Sequence, residues 1–184
     1  MIHNHDRSGW FGASDTAKIM GHWQSHTFWR WWGEKLGLWQ NHFTNRSMMA
    51  GTYYEHAILK SIGITQMDRQ IKIRSLRLRV NLDGEEKSAI VEVKTHSKPE
   101  FVVIRPYWMQ CQVQMFAAKK PCKIVAYRLL EEDYQNFFNP IDPKRITEHP
   151  IAFDKNFIES QYLPRLTYLA WCLKRRKTPN EADL

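Results

Sequence analysis

The spacing of apolar and polar residues changes period several times along the chain. From Ser14 to about Gly21, SDTAKIMG reads as a short helix capped by Ser14. Such an end leaves backbone N–H groups free, which suits a phosphate. TFWRWWGEK, from about Thr27 to Lys35, and the longer segment from about Asn45 to Ser61 read as core-facing helices, and Gly63 is suited to end the second. The period then shortens to two. Ile71 and Ile73 alternate with Lys72 and Arg74, and Leu76, Leu78 and Val80 alternate with Arg77 and Arg79. The apolar phase slips at Ser75-Leu76, which predicts a bulge or a bend. SAIVEVKT is the next strand, with Asp83-Gly84 at the intervening turn. Arg105 to Ala118 is helical by pattern, with Pro106 tolerated in its first turn. CKIVAYRLL is a further strand. A Pro-bearing loop, NPIDPKR, leads to a short strand near Ile146 to Phe153. A last helix follows, with Asp154 as cap and Pro164 as a kink. The pattern predicts an α/β fold.

Composition narrows the setting. A chain of 184 residues with 43% hydrophobic and 25% charged residues fits one domain, residues 1–184. No apolar run approaches the roughly 20 residues of a membrane span, and MIHNHDRSGW lacks an apolar secretory core. Cys111, Cys122 and Cys172 are odd in number and far apart, so the expectation is a reducing, cytoplasmic setting with buried thiols and no structural zinc. The net charge of +8 gathers in RQIKIRSLRLR and LKRRK, and aromatic residues make up 13%. A polyanionic partner follows from this, against the plainer reading that the excess charge serves solubility.

Candidate chemistry lies in VNLDGEEKSAIVEVKTH. In a strand Glu92 and Lys94 share one face, while Val91, Val93 and Thr95 share the other. A hairpin would bring Asp83 near Glu92, and two close carboxylates repel unless a cation or proton joins them. Mg²⁺ suits oxygen ligands and phosphate substrates. Lys94 beside it would orient a water or offset charge during attack on a phosphodiester. Glu55, on the preceding helix, offers a third carboxylate. The plain alternatives are a surface ion pair for Glu92 and Lys94 and a solvated helix residue for Glu55.

GASDTAKIMG, FWRWWGEKLGL, MMAGTYYEHAI, NLDG with VEVK, and YWMQCQVQMFAAKK occur in this order between about Arg7 and Arg128. In this they resemble the YqaJ-type viral recombinase, or lambda-exonuclease-like, nucleases of the PD-(D/E)xK superfamily. The resemblance implies a restriction-endonuclease-like core with a mixed central β-sheet flanked by helices. It implies that Asp83, Glu92 and the Val93 carbonyl bind metal, that Lys94 is the catalytic lysine and that Glu55 is the helix carboxylate. It adds Gln110, at the spacing from Tyr107 that the family uses, for holding the attacking water; Gln112 and Gln114 compete for that part. Arg7 and Ser14 match positions that grip a 5′-terminal phosphate. Lys72, Arg74, Arg77 and Arg79 would line the path of the DNA backbone.

The implied activity is a Mg²⁺-dependent exonuclease, with Mn²⁺ as substitute, acting 5′ to 3′ on double-stranded DNA ends. It would leave 5′-phosphate products and supply single strands for phage-type recombination. The resemblance further implies a single-strand annealing protein as partner, a homotrimer, and a phage- or prophage-encoded protein in the cytoplasm of a bacterial host. Asn81-Leu82 departs from the Ser-Pro that often precedes the catalytic Asp. Two alternatives stay open: a structure-specific or single-strand endonuclease on the same core, and a non-catalytic DNA- or partner-binding module.

Overall fold

The computed structural model describes residues 7–40 and 43–184. Five strands form one mixed sheet in the order β1 (Gln66–Ile73), β2 (Leu78–Glu85), β3 (Ile90–His96), β4 (Cys122–Arg128) and β5 (Ile146–Ile151). β3 and β4 run parallel, and the other neighbours are antiparallel. The helices are α1 (Thr16–Ile19), α2 (His26–Lys35), α3 (Arg46–Ser61), α4 (Arg105–Ala118), α5 (Glu131–Gln135) and α6 (Leu163–Arg175). α4 makes the crossover that a parallel β3–β4 pair requires. One sheet face packs against α4, α6 and an aromatic cluster from α2; the other packs against α3. The expected mixed sheet with flanking helices is therefore present. Among the described residues no helix is long and apolar enough to cross a membrane.

Four local expectations are corrected. Ser14 does not cap a helix, because a 3₁₀ turn, Ala13–Asp15, begins after Gly12, and the Asp15 carboxylate accepts the Gly12 N–H at 2.8 Å. The phase slip at Ser75-Leu76 is a full reversal: a 3₁₀ turn, Arg74–Leu76, is followed by Arg77 at φ +51°, and β1 and β2 form a hairpin. Asp83-Gly84 lies inside β2, since the turn to β3 falls later, where the Glu86 N–H bonds the Ala89 carbonyl at 2.7 Å. Gly84 serves close packing there: a Cβ would lie 2.6 Å from Leu59 Cδ2 of α3. Finally, Asp154 does cap its helix by accepting the Phe157 N–H at 2.8 Å, but a π-helical stretch, Phe157–Tyr162, precedes α6 and Pro164 sits in the first turn of α6. The departure from α geometry thus precedes the proline, in a helical run that continues unbroken from Lys155 to Arg175.

The N-terminal segment is stitched into the sheet. Phe11 donates its N–H to the Arg77 carbonyl and accepts the Arg79 N–H, both at 2.8 Å, as an isolated parallel bridge to Leu78. Leu78 already pairs with Ile73 of β1, so Phe11 lies on the edge of β2 that β3 would otherwise occupy. β3 pairs with β2 only at Gly84–Val91 and Glu85–Ile90. Phe11 is fully buried and packs against Trp31 and Trp32, at ring separations of 5.7 and 6.3 Å. Burying a side chain of this size contributes about 1.5–3 kcal/mol, which ties the segment down beside the gap left in the ladder.

Candidate active site

The gap between the Phe11 bridge and the β2–β3 pairs is where the acidic residues collect. Asp83 projects from β2 where the ladder has stopped, and its Oδ2 accepts the Val93 N–H at 2.9 Å. Alternation along β3 turns Val91 and Val93 into the core under α3 and sends Glu92 and Lys94 toward α4. Glu92 is 2% exposed. Its Oε1 accepts from Lys94 Nζ and Gln110 Nε2, each at 2.5 Å, and its Oε2 accepts from Gln114 Nε2. These three donors leave room for a further partner on a carboxylate with about four acceptor sites. Lys94 Nζ also reaches Gln110 Oε1 at 3.3 Å and lies 4.9 Å above the Tyr107 ring.

Charge balance sets the protonation states. Burial raises the Asp83 carboxyl well above its ordinary range, and the nearby Glu92 and Glu55 raise it further. Burial likewise raises Glu55, with Glu92 adding to the effect. Burial works to lower Lys94, but the Glu92 and Asp83 carboxylates outweigh it and hold the ammonium protonated, above its ordinary value. Lys94 is therefore suited to orient a water or offset charge, and not to accept a proton. Oxygen donors that resist ionising together are a donor set that a divalent cation would relieve. Glu55, His56 and Asp68 also present ligand atoms within 4.8 Å of one another, with His56 Nε2 2.9 Å from Asp68 Oδ2.

A cavity of about 250 Å³ opens beside these groups. Asp83, Lys94 and Gln110 line it, together with Arg7, Ser14 and Arg79. The structure thus brings the two residues matched to phosphate gripping into one cavity with three of the residues matched to catalysis. Lys72 lies next to it, its ammonium 5.8 Å over the ring of Trp10, which also lines the cavity. Arg74 and Arg77 sit at the β1–β2 turn, outside the lining.

One competing candidate keeps a place at the site, and one feature escapes the sequence reading. Gln114 joins Gln110 on Glu92, and their i, i+4 spacing on one helix face was the available signal. Gln112 instead ties the chain beyond β5 to α4, donating to the Ala152 carbonyl at 2.8 Å and accepting the Asp154 N–H at 2.7 Å. The missed feature is an ion pair between Lys35 Nζ and Asp15 Oδ2 at 2.6 Å, each residue 2% exposed, at the cavity wall. Burial works to raise the Asp15 carboxyl, yet Lys35 and the Gly12 N–H hold it below its usual range. Trp31 Nε1 donates to its other oxygen at 2.8 Å.

No family model matches the chain, and no curated protein does either. Solved structures do. An alkaline exonuclease from Laribacter hongkongensis superposes with a TM-score of 0.66 at 20% identity, covering 92% of this chain and 90% of its own. A phage-related exonuclease from Haemophilus somnus 129PT gives 0.64 at 15% identity, covering 91% and 94%. The chain has the fold of these exonucleases over nearly its whole length.

Proposed function

We propose that the protein is a metal-dependent DNA exonuclease that works from 5′ ends of duplex DNA. The observation that carries this reading is the single cavity shared by Arg7 and Ser14 with Asp83, Lys94 and Gln110. The two similar structures are of exonucleases, which supports the same class. Arg7 and Ser14 hold the terminal phosphate by charge-assisted bonds, and the next phosphodiester lies toward Asp83 and Lys94. Asp83, Glu92 and Glu55, with the Val93 carbonyl, are the groups suited to hold Mg²⁺, or Mn²⁺ in its place. The cation, when bound, activates water and offsets charge on the phosphate. Gln110 and the protonated Lys94 fix the water on one side of phosphorus. Oxygen from that water bonds to phosphorus, the bond to the 3′-oxygen breaks, and the 3′-oxygen takes up a proton. Each turn releases a nucleotide and leaves a new 5′-phosphate. The single strands so made serve phage-type recombination with an annealing protein, and a head-to-tail trimer would close around the duplex.

The test is digestion of end-labelled duplexes in Mg²⁺ or EDTA. Cleavage is expected only with the cation, from the 5′ end, and faster with 5′-phosphate than with 5′-hydroxyl. Arg7→Ala should erase that difference while leaving residual cleavage. Internal nicking at equal rates on both substrates favours the endonuclease, and no cleavage in any metal leaves a binding module.

Acidity provides a second check. Asp83 and Glu55 have folded pKa values above their ordinary ones. Their contribution to stability is therefore fully present below the ordinary carboxylate range and is lost as pH rises through the raised values. In EDTA the Tm should fall as pH rises above the ordinary carboxylate range and through the raised values. Mg²⁺ should reverse the fall, because it binds the deprotonated carboxylates. Asp83→Asn should flatten both trends. Parallel pH profiles with and without Mg²⁺ would rule out a cation site at these carboxylates.

A further inference from the structure

A second cavity, of about 400 Å³, lies at the far end of β3 and β4. The parallel register sets His96 opposite Arg128 there, and β5 supplies His149. The Phe101 ring sits 5.2 Å from that of His96 and 5.0 Å from that of His149. Lys144 and Glu100, both exposed, stand at the same cavity. Arg145 also lines it, but its guanidinium is committed to Asp133 at 2.5 Å. Two buried polar atoms here, His96 Nδ1 and Arg128 Nε, have no hydrogen-bond partner among the described residues. An arginine and a lysine beside an imidazole donor and an aromatic ring are the chemistry that recognises a nucleotide phosphate.

A chain of ring contacts links the cavity to the candidate active site. Phe101 stacks on Tyr107 at 6.1 Å with an interplanar angle of 3°, and Tyr107 carries the Lys94 ammonium on its face. His96 follows Lys94 by two residues on the same face of β3. Two strand positions span about 6.6 Å, which is about one phosphate-to-phosphate step along a DNA strand, since successive phosphates are displaced around the helix as well as by the axial rise of about 3.4 Å.

We propose that His96, Arg128 and Lys144 form a phosphate subsite that takes the backbone phosphate adjacent to the one held at Lys94. This rests on the reading that a DNA strand crosses Lys94. Phe101 and His149 supply the apolar floor, and Glu100 opposes the anion. Free inorganic phosphate has the same chemistry and would compete for the cavity.

Binding without cleavage separates the possibilities. The fluorescence anisotropy of a 3′-labelled duplex, in EDTA and at several salt concentrations, gives Kd and its salt slope. Lys144→Gln is expected to weaken binding about 3- to 10-fold and to reduce the slope by about one. Arg128→Gln should do the same. Glu100→Gln should tighten binding, a gain that misfolding cannot produce. A scan of duplexes with one neutral methylphosphonate linkage should find a position at which Lys144→Gln has no further effect. Unchanged affinity and slope in all three variants would overturn the subsite. So would a Lys144 effect that persists with every neutral linkage, since that marks only a distant field. If the protein binds no DNA at all, the proposed function fails separately. Titration with inorganic phosphate then decides on the cavity: shifts of the His96 and His149 imidazole signals that disappear in Arg128→Gln support an anion site, and unmoved signals remove it.

Discussion

Lys94→Ala is expected to lower DNA cleavage by about a hundredfold or more while leaving DNA affinity in EDTA within a few-fold of the unsubstituted protein. The lysine is held protonated by Glu92 and Asp83 and touches both Glu92 and Gln110. A fixed positive charge in a water-poor site stabilises charge that develops during reaction, and removing one such group commonly costs about 10²–10³ in rate. Asp83→Ala and Glu92→Ala should fall at least as far. Glu92→Ala has an added cost, since it leaves Gln110, Gln114 and Lys94 without their shared acceptor. Single-turnover rates together with thermal melts separate lost chemistry from lost folding. Full activity in a folded Lys94→Ala would sink the assignment.

The largest effect on stability is expected at the ion pair under the cavity wall. Lys35→Met removes the cation from a carboxylate that is 2% exposed. Leaving one charge of a buried pair unmatched costs about 3–5 kcal/mol, or a fall in Tm of roughly 6–20 °C for a chain of this size. The Trp31 and Gly12 donors remain to Asp15 and keep the loss from being greater. Asp15→Asn combined with Lys35→Met removes both charges and should recover much of the difference. A chemical denaturation series on the single and double variants measures this coupling. A loss below about 1 kcal/mol in Lys35→Met would mean that the pair is solvated enough to do without its partner.

The long periodic elements were readable because local pattern and tertiary packing agree. Arg105 to Ala118 is helical over the predicted range, and the alternation in VEVKTH did assign Glu92 and Lys94 to one face. The β1–β2 turn was not readable as a reversal. Arg77 takes the left-handed conformation without the Gly or Asn that usually signals it. Asp83-Gly84 carried the opposite error: a pair that favours turns lies in a strand because Leu59 of α3 leaves no space for a Cβ. Glu55, Asp83, Glu92 and Lys94 were singled out from charge and spacing, but the closeness of Asp83 to Glu92 and Lys94 depends on how far β3 pairs with β2. Lys35 was hidden for a related reason, since a lysine on a Trp-rich helix looks solvated until Asp15 is seen across from it.

The bridge from Phe11 to Leu78 also fixes when the proposed centre can assemble during synthesis. Phe11 is made before its partner Leu78, which arrives only after α2, α3 and β1, and Gln110 comes later still. Contacts this distant in sequence form late, because the loop they close must be ordered first. Until then Arg7 and Ser14 stand apart from Asp83 and Lys94, and nascent chains hold no assembled centre. On the proposed function, DNA cleavage would therefore wait until the chain is made through α4.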